Sequence, residues 1–337
     1  MKTLLLLRAA ILAAMLALAP AALWAAVSGP CVDCHTMHNS QDGARFPGAT
    51  SDTPQGHLTI LGCIGCHTGS GVTGAPIIDG TYNVDSTAGG TFSDSGGGVT
   101  SDAGVHNVNV DGLLATVGED DTLTTAVPGL TGGMNNGLGS SDPNDLTCAG
   151  KDGCHGDATQ ADNDAGIRGF HHGSKAGYRY LQIASTQAAV VGAGADDWEK
   201  TISSSATGEG GEHNIYSSST TVGINKLCAN CHPNFHSTTN TSDGNNWIRH
   251  PTDNDIPGAG DGWTPTVNYR ENPFAFADIS SLDPGTAYTA TGAQVACISC
   301  HRAHGTPYDD ILRWDYSAQS AGGGGTSGCL GCHNKQR

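Results

Sequence analysis

All twelve cysteines of this 337-residue chain fall into six close pairs, and a histidine follows the second cysteine of every pair. The sites are CVDCH (Cys31, Cys34, His35), CIGCH (Cys63, Cys66, His67), CAGKDGCH (Cys148, Cys154, His155), CANCH (Cys228, Cys231, His232), CISCH (Cys297, Cys300, His301) and CLGCH (Cys329, Cys332, His333). Two sulfurs at the Cys-x-x-Cys spacing reach the two vinyl groups of one porphyrin, and the adjoining histidine sits beneath the ring as proximal ligand to the iron. The pattern therefore predicts six covalently attached c-type haems. Zinc ribbons also use paired cysteines but need no histidine directly after each second one. Disulfides within such close pairs would staple only trivial loops.

The third site is stretched, with five residues between its cysteines. Ala149-Gly150-Lys151-Asp152-Gly153 must bulge outward for Cys148 and Cys154 to keep the usual sulfur separation, and two glycines make such a loop cheap. The contiguous Cys154-His155 unit keeps the proximal ligand, so a haem is expected here too.

Residues 1–26 carry Lys2 and Arg8, then a Leu- and Ala-rich apolar stretch, then Leu23-Trp24-Ala25-Ala26, the layout of a secretory signal peptide. The apolar stretch is too short and wrongly flanked for a membrane span. The expected product is a secreted, extracellular or outer-surface protein that passes through the periplasm, with residues 27–337 as one hexahaem domain. Cleavage removes two of the fifteen basic residues and no acid, moving the formal charge from −17 to about −19. Such acidity argues against nucleic acid as a partner.

Only 37% of residues are hydrophobic, and the 49 glycines would suggest disorder in an ordinary chain. Six porphyrins alter that expectation, because the macrocycles supply the apolar centre. The predicted fold is mostly irregular coil, with short helical turns at each haem site and a few short strands and hairpins, wrapped around a chain of six covalently bound haems. The first and last pairs of sites repeat one design, each opening on Cys-x-x-Cys-His-x-x-His and closing on Cys-x-Gly-Cys-His. Haem-pair modules near 31–67 and 297–333 thus flank a longer middle. Its first spacer, Thr68 to Thr147, is rich in Gly, Ser, Thr and Asp, with a candidate strand at Val105 to Val110. Calcium binding around Asp94 to Asp102 is a weaker alternative to a solvated loop there.

Fifteen histidines less the six proximal ones leave nine for the sixth coordination position. Candidate distal ligands are His38, His106, His172, His213, His250 and His304, with His171, His236 and His57 as further candidates and His57 as the expected bystander. His38 and His304 each lie three residues beyond a proximal histidine. Neither side chain can reach around its own porphyrin, so each must bind a different iron and bring two haems together.

CVDCHTMHNS near the mature N-terminus, VHNV at His106, CANCHPNFH followed by WIRHP, CISCHRAHG and the terminal CLGCH resemble the outer-surface hexahaem cytochromes of metal-reducing bacteria, some of which form nanowire filaments. The resemblance follows motif order over nearly the whole mature chain and is faint in the spacers. It implies bis-histidine haems stacked in alternating parallel and T-shaped pairs, identical subunits polymerising end to end, and a distal histidine donated across the subunit boundary. It also implies other cytochromes as electron donors, and metal oxides, electrodes or partner cells as acceptors. Two departures stand out: the stretched third site followed by GFHHG, and the lack of any histidine between the signal peptide and Cys31, where the family places its intersubunit ligand. The expected function is an electron conduit rather than an enzyme. The alternatives are a monomeric periplasmic carrier and a multihaem reductase with one open haem, although no Cys-x-x-Cys-Lys, a frequent mark of such an open site, occurs.

Overall fold

The computed structural model describes residues 27, 30–38, 40–41, 43–45, 56–59, 62–67, 76–78, 89–92, 104–106, 108, 146–173, 175–184, 186–193, 214–236, 250, 252, 255–256, 272–279, 292–320 and 328–333. The signal segment, His213 and the Asp94–Asp102 stretch lie outside them.

Regular structure is short wherever it occurs, as a chain punctuated by Gly and Pro dictates. Hairpin β1 (Ser40–Gln41) and β2 (Ala44–Arg45) turns through Gly43 at φ +78°, a left-handed position that glycine takes without cost. The largest sheet is mixed and four-stranded. Its order is β10 (Ala293–Gln294), β9 (Ala275–Phe276), β8 (Ile215–Ser217), β7 (Gly192–Ala193), with only the β8–β9 pair parallel. Beside it β5 (Gln182–Ile183) and β6 (Ala188–Ala189) form an antiparallel pair. Val105 makes one bridge to Gly305, His106 N donates to His304 O at 3.0 Å, and residues 107, 109 and 110 of the expected 105–110 strand lie outside the described residues.

Five of the six sites carry the helical turns that the sequence predicts. Cys31–Asp33 and Cys297–Ser299 are single 3₁₀ turns, whereas α1 (Cys63–Cys66) and α5 (Cys329–Cys332) are single α turns. The first and last modules therefore match in backbone as well as in motif order. At the fourth site α3 (Ile224–Cys228) ends on the first cysteine and α4 (Pro233–His236) begins after the proximal histidine.

The third site is built differently. Here β3 (Thr147–Ala149) and β4 (Gly153–His155) run parallel, joined through residues 150–152, with Thr147 opposite Gly153 and Ala149 opposite His155. A parallel pair ordinarily needs a crossover of a dozen residues or more. Here the connection curls tightly through Gly150 at φ +88°. The register sets Cys148 directly across from Cys154. Contrary to expectation the loop does not bulge outward: Ala149, Gly150, Asp152 and Gly153 are all buried. It is held down by α2 (Asn163–Ile167), capped by the Asp162 carboxylate accepting from Ala165 N at 2.7 Å. The buried Asn163 side chain accepts from Ala149 N at 2.8 Å, and Lys151 N donates to Gln160 O at 2.8 Å.

Among the described residues the buried apolar side chains gather in three small clusters. Ile78, Phe92, Val105 and Val108 pack with Leu146 and Cys148; Leu181, Ile183, Val190, Ile224, Ala275 and Ala296 pack with Leu227 and Ile298; Ile215, Ile256, Phe274, Phe276 and Ala293 pack with Cys332. Each cluster touches a motif cysteine or its immediate neighbour. Burying one such side chain is worth about 1.5–3 kcal/mol. Clusters of this size leave much of the ordering entropy of so long a chain to be met by other means. Among the described residues no helix is long and apolar enough to cross a membrane.

Candidate metal centres

Four of the proximal histidines each face a spare histidine from a distant part of the chain. Ring centres are 6.1 Å apart for His35 and His172, 6.2 Å for His232 and His106, 6.4 Å for His155 and His304, and 6.1 Å for His333 and His250. An imidazole nitrogen sits roughly 2 Å from a metal that it binds, and the ring centre lies about 1 Å further back. Two imidazoles on opposite faces of one ion therefore place their centres about 6 Å apart. All four pairs fit that figure, and none is a stacked contact between neutral rings at closest approach.

Hydrogen bonds select the tautomer. Nδ1 of His35 lies 3.2 Å from His57 O, that of His67 2.9 Å from Pro76 O, that of His155 3.0 Å from Arg179 O and that of His301 2.7 Å from Asp310 O. Among the spare histidines, Nδ1 of His106 lies 2.6 Å from Ala303 O. A carbonyl oxygen only accepts, so each of these Nδ1 atoms carries the proton. The lone pair then remains on Nε2, which is the state of a metal-ligating histidine. Burial acts in the same sense, pushing His67, His106, His155 and His301 below the ordinary histidine range and so towards the neutral imidazole.

The remaining candidates divide by position. His171 is lowered to about 4, first by burial and then by the neighbouring His67, His172 and His155, which sets it between the second and third sites. His57 is occupied otherwise: its Nε2 lies 3.2 Å from an Arg168 guanidinium nitrogen, which can only donate, while its carbonyl serves His35. His38 is exposed in the turn after the first motif, and His236 is half-buried at the end of α4. Neither is in the four pairs.

The cysteines stand where thioether bonds would form, and their neighbours reveal the order of the sites. Burial pushes Cys66 up to about 12, with the Cys34 thiol adding to it, and those two thiols share a hydrogen bond. Burial likewise raises Cys231 to about 12 with Cys154 beside it. A hydrogen bond that the Cys228 thiol donates to Cys297, followed by burial, raises Cys228. Cys300 rises to about 12 through burial with Cys329 and Cys332 close by. Site one thus adjoins two, three adjoins four, four adjoins five and five adjoins six, while His171 beside both His67 and His155 joins two to three. Buried polar groups reinforce the contacts: Asn225 of α3 accepts from Cys297 N at 2.8 Å, and Asn272 Nδ2 donates to Ser299 O at 3.3 Å and Gly328 O at 3.5 Å.

The features that the sequence does not announce are the carbonyl acceptors. At the first, third and fifth sites they belong to His57, Arg179 and Asp310, each in the left-handed region at φ 56°, 54° and 58°, and each followed by a second left-handed residue, Leu58, Tyr180 or Ile311 at φ 60°, 62° and 50°. For a residue with a Cβ this conformation costs about 1–2 kcal/mol. The three tripeptides, Gly-His-Leu, Tyr-Arg-Tyr and Asp-Asp-Ile, share no residue.

Comparison with known proteins agrees with the attachment chemistry. Residues 290–337 match the family model of the doubled CXXCH motif, which spans the fifth and sixth sites. C-type cytochrome OmcS of Geobacter sulfurreducens is 27% identical over 382 aligned residues, covering 90% of this chain and 83% of the relative. Two solved structures, the Outer Membrane Cytochrome S filament and the OmcS nanowires imaged by cryo-EM, both from Geobacter sulfurreducens, are 21% and 20% identical, each covering 88% of this chain and 86% of theirs, with TM-scores of 0.45 and 0.42. A structural likeness that loose carries no argument about detail, and the sequence match bears the comparison. With its attachment motifs in place and its sequence aligned over nine-tenths of its length, this chain is similar to the c-type cytochrome OmcS.

Proposed function

We propose that this chain is an extracellular electron-transfer conduit that holds six bis-histidine c-type haems in a row and serves as the subunit of a polymeric filament. The observation that carries this is the set of four ring pairs, each joining one proximal histidine to one spare histidine at the span of a shared metal ion. The thioether bonds would come from Cys31 and Cys34, Cys63 and Cys66, Cys148 and Cys154, Cys228 and Cys231, Cys297 and Cys300, and Cys329 and Cys332. His35, His67, His155, His232, His301 and His333 are the proximal ligands. His172, His304, His106 and His250 are the distal ligands of sites one, three, four and six. His171, beside His67, serves site two, and His213 is the candidate for site five. When bound, each haem supplies a one-electron couple. The residues would contribute two imidazoles to each haem, Nδ1 hydrogen bonds that hold the rings still, and thiol and histidine neighbours that keep the sites in sequence order from one to six. OmcS, the relative named above, forms filaments, and the acidic chain described here would present its own sites to identical copies and to extracellular acceptors.

A multihaem reductase needs an open axial position. The stretched third site, the natural place to seek one, has His304 facing His155, which favours the conduit.

Intact mass spectrometry of the exported protein should show six haems. Five would remove the third site from the row. The reduced protein should bind carbon monoxide poorly and give low-spin signals only, and one stoichiometric high-spin haem would overturn the conduit in favour of an enzyme.

A further inference from the structure

Seven non-glycine residues among those described have positive φ, and six of them are the three left-handed pairs His57-Leu58, Arg179-Tyr180 and Asp310-Ile311. The pairs perform one task three times. The first residue's carbonyl takes the Nδ1 proton of His35, His155 or His301. The second residue's carbonyl takes the backbone N–H just after that histidine: Thr36 N to Leu58 O at 2.8 Å, Gly156 N to Tyr180 O at 2.7 Å, and Arg302 N to Ile311 O at 2.9 Å. The third residue then bridges the histidine itself, pairing His35 with Thr59, His155 with Leu181 and His301 with Leu312. Each proximal histidine is gripped at ring and backbone by one three-residue turn.

Local sequence preference does not account for this shape. Glycine, the residue that accepts it freely, occupies none of the six positions, and Ile311 is β-branched, for which a left-handed backbone is most unfavourable. Such strain persists only where its surroundings over-determine it. Here they do: Arg168 holds the His57 ring, and Asn214 Oδ1 accepts from Arg179 Nε at 3.0 Å and Nη2 at 2.6 Å, while the guanidinium lies 5.1 Å from the Tyr178 ring centre. The second site solves the same problem without a left-handed turn, His67 bonding Pro76 O and accepting from Ile78 N at 2.9 Å.

We propose that His57, Arg179 and Asp310 are positioning residues whose left-handed carbonyls fix the proximal imidazole at the first, third and fifth sites, giving each of these haems a stronger electron-donating ligand than it would otherwise have. A ligating imidazole whose N–H is bonded to a carbonyl is more basic and its ring plane is fixed. The proposal rests on haem occupancy as argued above, and it adds that the middle of the chain holds a third module of the same kind, opened by the stretched site.

The test uses the full, haem-loaded protein with Asp310→Val, Asp310→Asn and Asp310→Gly. Val disfavours the left-handed turn, whereas Asn and Gly keep it. Intact mass should show the same haem load in all three, which separates this question from the occupancy itself. All three variants lose the Asp310 carboxylate, whose charge acts on His301, so Asn and Gly set the baseline: relative to them, the Val variant should show one low-spin paramagnetic resonance signal with altered g-anisotropy and one component of the redox titration at higher potential. If Val does not accumulate, the Gly variant decides: it should melt no lower than the parent and share the spectrum of the Asn variant. Spectra and titrations alike in all three variants, a shift of equal size in Gly and Val, or a Gly variant that melts lower than the parent would overturn the proposal.

Discussion

Replacing His304 by alanine should convert one haem in six to a five-coordinate, high-spin centre while leaving every covalent attachment intact. His304 belongs by sequence to the fifth motif, three residues after His301, yet its ring faces His155 at 6.4 Å. Its loss therefore strikes the third haem. Low-temperature paramagnetic resonance should show the new signal at about one-sixth of total iron, the reduced protein should bind carbon monoxide at one site, and the potential of that site should rise as a donor ligand is lost. His57→Ala, by contrast, should leave every spin state as it was, since the His57 ring is turned to Arg168. An unaltered spin state in His304→Ala would sink the ring pairing at the third site and with it the closed row.

Gly166→Ala should be strongly destabilising at the third site. Glycine to alanine inside a helix ordinarily stabilises by about 0.5–1 kcal/mol. At Gly166 the added Cβ would lie 2.4 Å from Gly150 N and 2.6 Å from Gly150 Cα. Those are backbone atoms in a loop that is itself pinned, because Gly150 is left-handed and packed against Asp162 O. The sign should reverse to a loss of about 2–4 kcal/mol, read as a lower midpoint in thermal unfolding of the loaded protein together with a fall in occupancy at the third site. Gly62→Ala, where nothing lies within 4 Å of the new atom, is the control. Equal midpoints for the two variants would mean that α2 does not clamp the stretched loop.

The attachment motifs are legible in the sequence because their chemistry is local: two thiols and an imidazole must lie within a few residues of one another to meet a single macrocycle. Which spare histidine faces which motif is not legible, since His172, His106 and His250 meet their partners only through the tertiary path of the spacers. The outward bulge expected at the third site failed for a related reason. Glycines at 150 and 153 signal a pliable loop but say nothing of the segment from Asp157 to Ile167 that covers it. The left-handed turns are the furthest from sequence, because Gly-His-Leu, Tyr-Arg-Tyr and Asp-Asp-Ile have no common residue and no local preference for their shape. Their form is imposed by the histidine that each one holds.

The long reach of the ring pairs has a consequence for how the protein is made. A chain exported N-terminus first delivers His35 long before His172, and His155 long before His304, whereas His106 is already outside when His232 appears. Closing such large loops costs entropy that only the finished contact repays. Completion therefore cannot run from the first site to the last. The fourth site can close while the third still waits for the final few dozen residues, and a product cut short before His304 would leave a reactive iron exposed midway along the row. Under the proposed pairing the last module is the checkpoint for the third site, whose His304 it supplies.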